Sequence, residues 1–289
     1  FSSRRRHTIF KCDWSSDVCF PISAKIGAIF VPLNFRSQAE ELAYMIGNAE
    51  VKVLFVGARY LDLVNTILPQ LQTVKECIAI ESGTKLSYED LLRAASSDEY
   101  FCEIGDEDIT ILMYTSGTTG RPKGVPLRHN AFVSYVLDNV DPASPEIEER
   151  NLLTVPLYHV AGIQAMLAAI YGGRTLVLMR QFEVKEWMET IEREQATRAM
   201  LVPTMLKRVI DDVDFSKYNL TSLKVITYGA AAMPFEVISK AIKVMPWARF
   251  INAFGQTETA STITTLGPED HVIEGTEEAK AKKIKRLTS

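Results

Sequence analysis

Cysteine is scarce, with four in 289 residues. Cys12 and Cys19 lie in the first 19 residues, while Cys77 and Cys102 stand alone. No C-x-x-C pair exists, so neither a zinc site nor a redox pair is indicated. Cys77 and Cys102 read as single buried thiols in a reducing, cytoplasmic setting. An excess of one charge sign is lacking too: 32 basic residues face 36 acidic ones, for a net charge of −4. Nothing global therefore draws the chain to nucleic acid or to an anionic membrane. No apolar run reaches the roughly 20 residues that span a bilayer. The longest, Val160–Tyr171, contains Gln164. Internal repeats and low-complexity linkers are also missing. With 47% apolar and 24% charged residues, disordered, collagen-like and disulfide-scaffold readings are excluded.

The two ends differ from the middle. Residues 1–20 fit neither a helical nor a strand period. Arg4–Arg6 is followed by no apolar core and no small-residue cleavage site, so it is not a secretory signal. We read residues 1–20 as a non-native segment resembling adapter read-through, and residues 21–275 as one partial α/β domain. Residues 276–289 are charged, with Lys280, Lys282, Lys283, Lys285 and Arg286 beside Glu277 and Glu278. That mixture, without interleaved aromatics, reads as a solvated helix or linker rather than a nucleic-acid tail.

Between these ends short apolar runs alternate with amphipathic ones. The runs predict strands at Ala28–Pro32, Val51–Val56, Cys77–Ile80, Thr110–Tyr114, Leu152–Val155, Thr175–Leu178, Arg198–Val202, Leu223–Tyr228 and Phe250–Phe254. Helical spacing predicts helices over Gln38–Ile46, Val184–Glu194 and Phe235–Val244, the last opened by Pro234. This alternation predicts an α/β fold of largely parallel sheets flanked by helices. In such folds ligands bind beyond the carboxyl ends of strands, so the turns after strands are the places to search.

Two of those turns are unusual. The first is Thr115-Ser116-Gly117-Thr118-Thr119-Gly120-Arg121-Pro122-Lys123-Gly124. Glycines let a backbone approach an anion closely, successive N–H groups form an anion nest, and hydroxyls and a lysine add donors and charge. This is the chemistry of a polyphosphate cradle. It is neither a G-x-x-x-x-G-K-[ST] loop nor a G-x-G-x-x-G fingerprint. The second turn is Asn252-Ala253-Phe254-Gly255-Gln256-Thr257-Glu258. Phe254 suits stacking on a purine, Thr257 a phosphate oxygen, and Glu258 a hard oxygen ligand for Mg2+.

The first string resembles the signature loop of the AMP-forming acyl-adenylate superfamily, which includes acyl-CoA synthetases, luciferases and peptide-synthetase adenylation domains. The second resembles that family's adenine and metal segment. Two further stretches are similar to family segments: Tyr228-Gly229-Ala230-Ala231-Ala232-Met233-Pro234 to the turn beside adenine, and Pro156-Leu157-Tyr158-His159-Val160-Ala161-Gly162 to the acyl-site lining. The resemblance covers about residues 21–275. It implies that Thr115, Ser116, Gly117, Thr118, Thr119, Gly120 and Lys123 hold phosphates. It places Gly229, Ala230, Ala231, Asn252, Phe254, Gly255 and Thr257 against the nucleotide, and Thr115 and Glu258 at the metal. Lys123, Thr257 and His159 are its candidate catalytic groups, with His159 also able simply to shape or gate the pocket.

The implied reaction is ATP-dependent conversion of a carboxylic acid to acyl-AMP, followed by transfer to coenzyme A. ATP, Mg2+ and coenzyme A are thus the implied co-substrates and ion. The pocket segment lacks the carboxylate with which amino-acid-activating relatives bind an ammonium. Val160, Ala161, Ile163, Met166, Val202, Ala230, Ala231 and Met233 instead suit a fatty or other apolar acid. A fatty substrate is compatible with peripheral membrane contact, and oligomeric state is not encoded legibly. Family members continue into a Tyr-x-Thr-Gly-Asp segment, a hinge and a lysine-bearing C-terminal domain, none of which this sequence carries. The expectation is an interior fragment, incomplete at both ends and inactive alone. The alternatives are a nucleotide-binding but catalytically silent module, or a luciferase-like or peptide-synthetase branch.

Overall fold

The computed structural model describes residues 23–81, 86–98, 100–116, 120–146, 148–272 and 276–288. The reading of residues 1–20 falls outside them, as do the expectations for Gly117, Thr118 and Thr119. The described chain divides into two compact units, 23–134 and 135–288.

The smaller unit begins with helix α1 (Ala39–Asn48), followed by strand β1 (Val53–Val56), helix α2 (Leu61–Ile67) and strand β2 (Glu76–Ala79). The α1 start is held by a capping box between Gln38 and Glu41. β1 and β2 pair in parallel, and the crossover α2 packs with α1 over them. Leu42, Met45, Ile46, Leu54, Val56, Val64 and Ile67 form this core. After helix α3 (Tyr88–Ala94), strands β3 (Ile109–Thr115) and β4 (Lys123–Arg128) form an antiparallel pair. The predicted strand Ala28–Pro32 is reduced to a single bridge, Phe30 with Ile111 on β3. Cys77 is half-buried on β2, whereas Cys102 is exposed, because it lies on irregular chain between α3 and β3 rather than in a packed element. Helix α4 (His129–Asn139) carries the chain into the larger unit.

The larger unit contains strand β5 (Arg150–Leu153), helix α5 (Val160–Tyr171), strand β6 (Thr175–Leu178), helix α6 (Val184–Glu194) and strand β7 (Arg198–Leu201). It continues with helix α7 (Pro203–Ile210), strand β8 (Val225–Gly229), helix α8 (Phe235–Val244), strand β9 (Arg249–Gln256), strand β10 (Ser261–Leu266) and helix α9 (Glu277–Thr288). Its sheet has the order β10-β9-β8-β7-β5-β6. All neighbours are parallel except β10, which returns antiparallel to β9. The α/β fold of largely parallel sheets with connecting helices is therefore what forms. β4 and β10, both antiparallel, fall outside the expected strands. Their threonines and single Pro126 carry little apolar alternation.

Helix α6 shows why the local sequence folds as it does. Val184, Trp187, Met188 and Ile191 recur at helical spacing and are buried. The Glu183 carboxylate accepts from the Lys185 N–H at 3.1 Å at its start. This stripe joins α7 (Leu206, Val209, Ile210), α8 (Val237, Ile238, Ala241) and strand residues Leu152, Leu201, Ile226 and Phe250 in one core. Val160–Tyr171, apolar almost throughout, is helix α5. Among the described residues no helix is long and apolar enough to cross a membrane.

Charged groups gather at the opposite, amino ends of β5, β6 and β7. Arg174 Nε donates to Glu149 Oε2 at 2.5 Å, and Arg198 donates to Glu149 Oε1 at 3.1 Å. Burial alone would push the Glu149 pKa up. The Arg174 hydrogen bond and the charges of Arg198 and Arg174 outweigh it and hold the carboxyl below its ordinary value of 4.5.

Two expectations about stability follow from this packing. Trp187 is fully buried, so Trp187→Ala should cost about 3–5 kcal/mol in denaturant unfolding. A depressed carboxylate pKa stabilises the fold above the ordinary value, and that contribution disappears as pH falls through the folded value. Glu149→Gln should therefore melt lower than wild type at pH 7. The two melting curves should converge as the buffer is taken well below pH 4.5.

Candidate functional site

In the smaller unit the hydroxyl- and glycine-rich string runs from the last residue of β3, Thr115, to the start of β4, Lys123-Gly124. β3 and β4 pair with Thr115 opposite Lys123 and Tyr114 opposite Gly124. Directly opposed residues of an antiparallel pair share one face, so Thr115 and Lys123 lie on the same face where the two strands end. Lys123 is exposed and makes no ion pair with a described residue. Ser116 and Gly120 are exposed as well. Gly120 has φ +87°, a left-handed conformation that a side chain would strain. The hairpin base is anchored by Tyr114, whose hydroxyl donates to Asn48 Oδ1 at 2.7 Å and lies 3.1 Å from the Met45 carbonyl. Arg121 lies over the Tyr44 ring at 5.3 Å.

In the larger unit the remaining candidates come from one end of one sheet. Pro156–His159 follows β5, Ala230 and Ala231 follow β8, and Thr257 and Glu258 follow β9. These are the carboxyl ends of mutually parallel strands, the expected ligand-facing edge. β8 and β9 approach unusually closely there: a Cβ added to Gly229 would lie 2.1 Å from the Ala253 carbonyl oxygen. The next residue, Ala230, has φ +66°, a strained conformation for a residue with a side chain. Ala230 and Ala231 are exposed, whereas Met233 packs in the core rather than at an open surface.

Phe254 is 65% exposed near the end of β9, its ring free to receive a flat partner. Asn252 is half-buried and Gly255 exposed. Thr257 and Glu258 lie on a short 3-10 turn. The turn is fastened by the Gln256 N–H donating to Thr259 Oγ1 at 3.3 Å and by that hydroxyl donating to the Gln256 carbonyl at 2.9 Å. Ala260 at φ +53° ends it. Glu258 is exposed and makes no ion pair with a described residue.

His159 occupies the N-cap position of α5, its ring 4.5 Å from that of Tyr158. Its ring reaches the surface, yet its partly buried surroundings push its pKa below the ordinary imidazole value. It is neutral at neutral pH. One turn further along α5, the Gln164 amide is buried with no hydrogen-bond partner at either end.

Among the described residues no cluster of three or more His, Cys, Asp or Glu side chains could cage a metal. A Mg2+ carried by a nucleotide keeps several waters, takes phosphate oxygens and needs only one or two protein oxygens. Oxygens of that kind are offered by Glu258 in the larger unit and by Thr115 in the smaller.

The structure also reveals a group that the sequence does not signal. His271, on a short 3-10 turn after β10, is 3% exposed. Its Nε2 lies 2.9 Å from the Tyr228 hydroxyl and its Nδ1 lies 2.7 Å from the Gly267 carbonyl. No motif surrounds His271, and its side-chain partner Tyr228 is 43 residues away along the chain, so no local pattern marks it.

The chain is similar to proteins of known kind. The chain is 30% identical over 251 residues to an indoleacetate–CoA ligase of Aromatoleum aromaticum, covering 86% of this chain and 49% of that protein. It is 29% identical over 255 residues to a long-chain-fatty-acid–CoA ligase of Mycobacterium tuberculosis, covering 86% of this chain and 48% of that one. The chain thus spans about half the length of these relatives. Among solved structures, it superimposes on the inhibitor-bound N-terminal domain of FACL13 from Mycobacterium tuberculosis with a TM-score of 0.77 at 29% identity, covering 87% of this chain and 62% of that chain. A family profile described as AMP-binding enzyme matches residues 23–286, and the chain belongs to that family.

Proposed function

We propose that the protein activates a carboxylic acid with ATP. A carboxylate oxygen bonds to the α-phosphorus, the bond to the bridging oxygen breaks, and pyrophosphate leaves behind an acyl-AMP. The thiol of coenzyme A then attacks the acyl carbon and AMP departs. The observation that carries this reading is the β3–β4 hairpin, which sets Thr115 and Lys123 side by side at a turn rich in hydroxyls and glycine.

A carboxylate and a triphosphate repel each other, so charge must be neutralised before they meet. In this reading Lys123 supplies a fixed positive charge, and the turn residues Thr115, Ser116, Gly117, Thr118, Thr119 and Gly120 supply N–H and hydroxyl donors. Gly229, Ala230, Ala231, Asn252 and Gly255 border the adenosine, and Phe254 stacks on its base, worth about 1–3 kcal/mol by analogy with nucleobase stacking. Thr257 donates to a phosphate oxygen. The nucleotide's Mg2+ offsets phosphate charge when bound, with Glu258 and Thr115 as its protein oxygens. His159 is held neutral, which suits a group that shapes or gates an apolar acyl site rather than one that pairs with a carboxylate.

The acid is apolar. Tyr158-His159-Val160-Ala161-Gly162 offers no carboxylate to an ammonium group, which disfavours amino acids. The relatives' names point to fatty and aryl acids alike: one acts on indoleacetate, another on long-chain fatty acids. Aryl and fatty substrates are therefore both within the proposal.

The test is acid-dependent exchange of pyrophosphate into ATP by the full-length protein, across fatty acids, indoleacetate, phenylpropenoic acids and amino acids. Exchange should depend on the apolar acids and not on the amino acids. Lys123→Ala and Glu258→Gln should each slow exchange about 10²–10³-fold, the scale of one lost electrostatic partner. Wild-type-like rates in both variants would remove the site assignment.

A further inference from the structure

Strands β3 and β4 form a two-stranded sheet of their own, and a two-stranded ladder is marginally stable at best without support. Near its start β3 is supported by Phe30, whose N–H donates to the Thr110 carbonyl and whose carbonyl accepts from the Leu112 N–H, each at 2.9 Å. The other end, which carries Thr115 and Lys123, is fastened differently. Tyr114 and Gly124 form the rung of the ladder next to Thr115 and Lys123. A Cβ on Gly124 would lie 3.6 Å from the Tyr114 Cε1 and Cζ atoms, so the ring lies across the open face of the glycine. The ring packs against the core that α1 helps to form. Its hydroxyl reaches the last turn of α1, with Asn48 Oδ1 at 2.7 Å and the Met45 carbonyl at 3.1 Å. Burial raises the Tyr114 pKa above the ordinary phenol value, so the hydroxyl keeps its hydrogen and donates it. Arg121, which closely precedes Lys123, lies over the Tyr44 ring, 5.3 Å from its centroid. Tyr44 and Asn48 have the i, i+4 spacing that puts both on one face of α1. One helix face therefore holds β3 through Tyr114 and the approach to β4 through Arg121.

We propose that Tyr114 is a positioning residue for Thr115 and Lys123, which fastens their end of the β3–β4 ladder to the last turn of α1 and so fixes where the two groups meet the phosphates of the nucleotide. This rests on the function proposed above, in which Thr115 and Lys123 face those phosphates. Tyr114 touches no substrate in this scheme. Successive residues of a strand point to opposite faces, so the tether acts from one face of the ladder while Thr115 and Lys123 stand on the other. Losing the hydroxyl leaves both groups in the protein but lets their rung shift, and charge stabilisation depends steeply on placement.

The experiment is calorimetric titration of the full-length protein with Mg-ATP and with AMP, which lacks two of the three phosphates. The quantity read is the ratio of the two affinities. Tyr114→Phe keeps the ring over Gly124 and removes the hydroxyl. It should weaken Mg-ATP about 3–10-fold, the scale of one neutral hydrogen bond, and leave AMP nearly unchanged. Asn48→Leu leaves the Met45 carbonyl as a second acceptor and should lose part of that ratio. Asn48→Gln, which keeps an amide acceptor, should retain most of it. The double variant Tyr114→Phe/Asn48→Leu should be no worse than Tyr114→Phe alone. Thermal melts check folding; if Tyr114→Phe does not fold, the exposed Asn48→Leu decides the question. A role in stability alone would weaken both nucleotides equally or neither. Either outcome in a folded variant overturns the inference while leaving the nucleotide reading intact. Failure of wild type to bind Mg-ATP defeats the function proposed above and the inference with it.

Discussion

At Gly229 the backbones of β8 and β9 come so close that no side chain fits: a Cβ there would meet the Ala253 carbonyl oxygen at 2.1 Å. That approach sets the register of two neighbouring parallel strands, Tyr228 beside Asn252 and Gly229 beside Ala253. Much of the larger unit's candidate site is a consequence of it. The register places Tyr228 beside Asn252, and the Tyr228 hydroxyl meets His271. It also brings the two strands to their carboxyl ends together, so that the strained Ala230 turn and the Thr257–Glu258 turn leave the sheet at one edge. A single residue of slip would turn Asn252 to the other face.

The sheet divides its work between its two ends. Its amino end is tied by charge, with Glu149 accepting from Arg174 and Arg198 across the starts of three strands. Its carboxyl end holds backbone strain at Ala230, an exposed Phe254 and an exposed Glu258. Buried core fills the space between, with Trp187 and Met188 of α6 at its centre. Strain and exposure cost stability, and they are tolerated at one edge because the rest of the unit is well packed.

The polar groups of that edge are few and individually simple. None of the described residues forms a metal cage, and the carboxylate of Glu258 stands alone. The β3–β4 pair is as spare, with Thr115 opposite Lys123.

Much of this is legible in the amino-acid sequence alone. Helices α6 and α8 are readable to the residue, because their apolar stripes repeat at 3.6-residue spacing and their ends carry Glu183 and Pro234. Strand β6 is equally clear, and the other parallel strands lie within a few residues of the apolar runs that announce them, since buried parallel strands read as such runs. The two unusual turns declare themselves by composition, as nests of glycine, hydroxyl and a single charge are rare in ordinary loops. Strands β4 and β10 are not legible. β10 is rich in threonine and β4 carries a glycine, a proline and charged ends, and only pairing with β9 and β3 makes them strands. His271 is hidden for a related reason: its hydrogen bond to Tyr228 joins positions 43 residues apart, which only the folded sheet brings together. Local spacing and residue chemistry determine elements and turns; which buried donor meets which acceptor is decided only when strands from distant parts of the chain take their register.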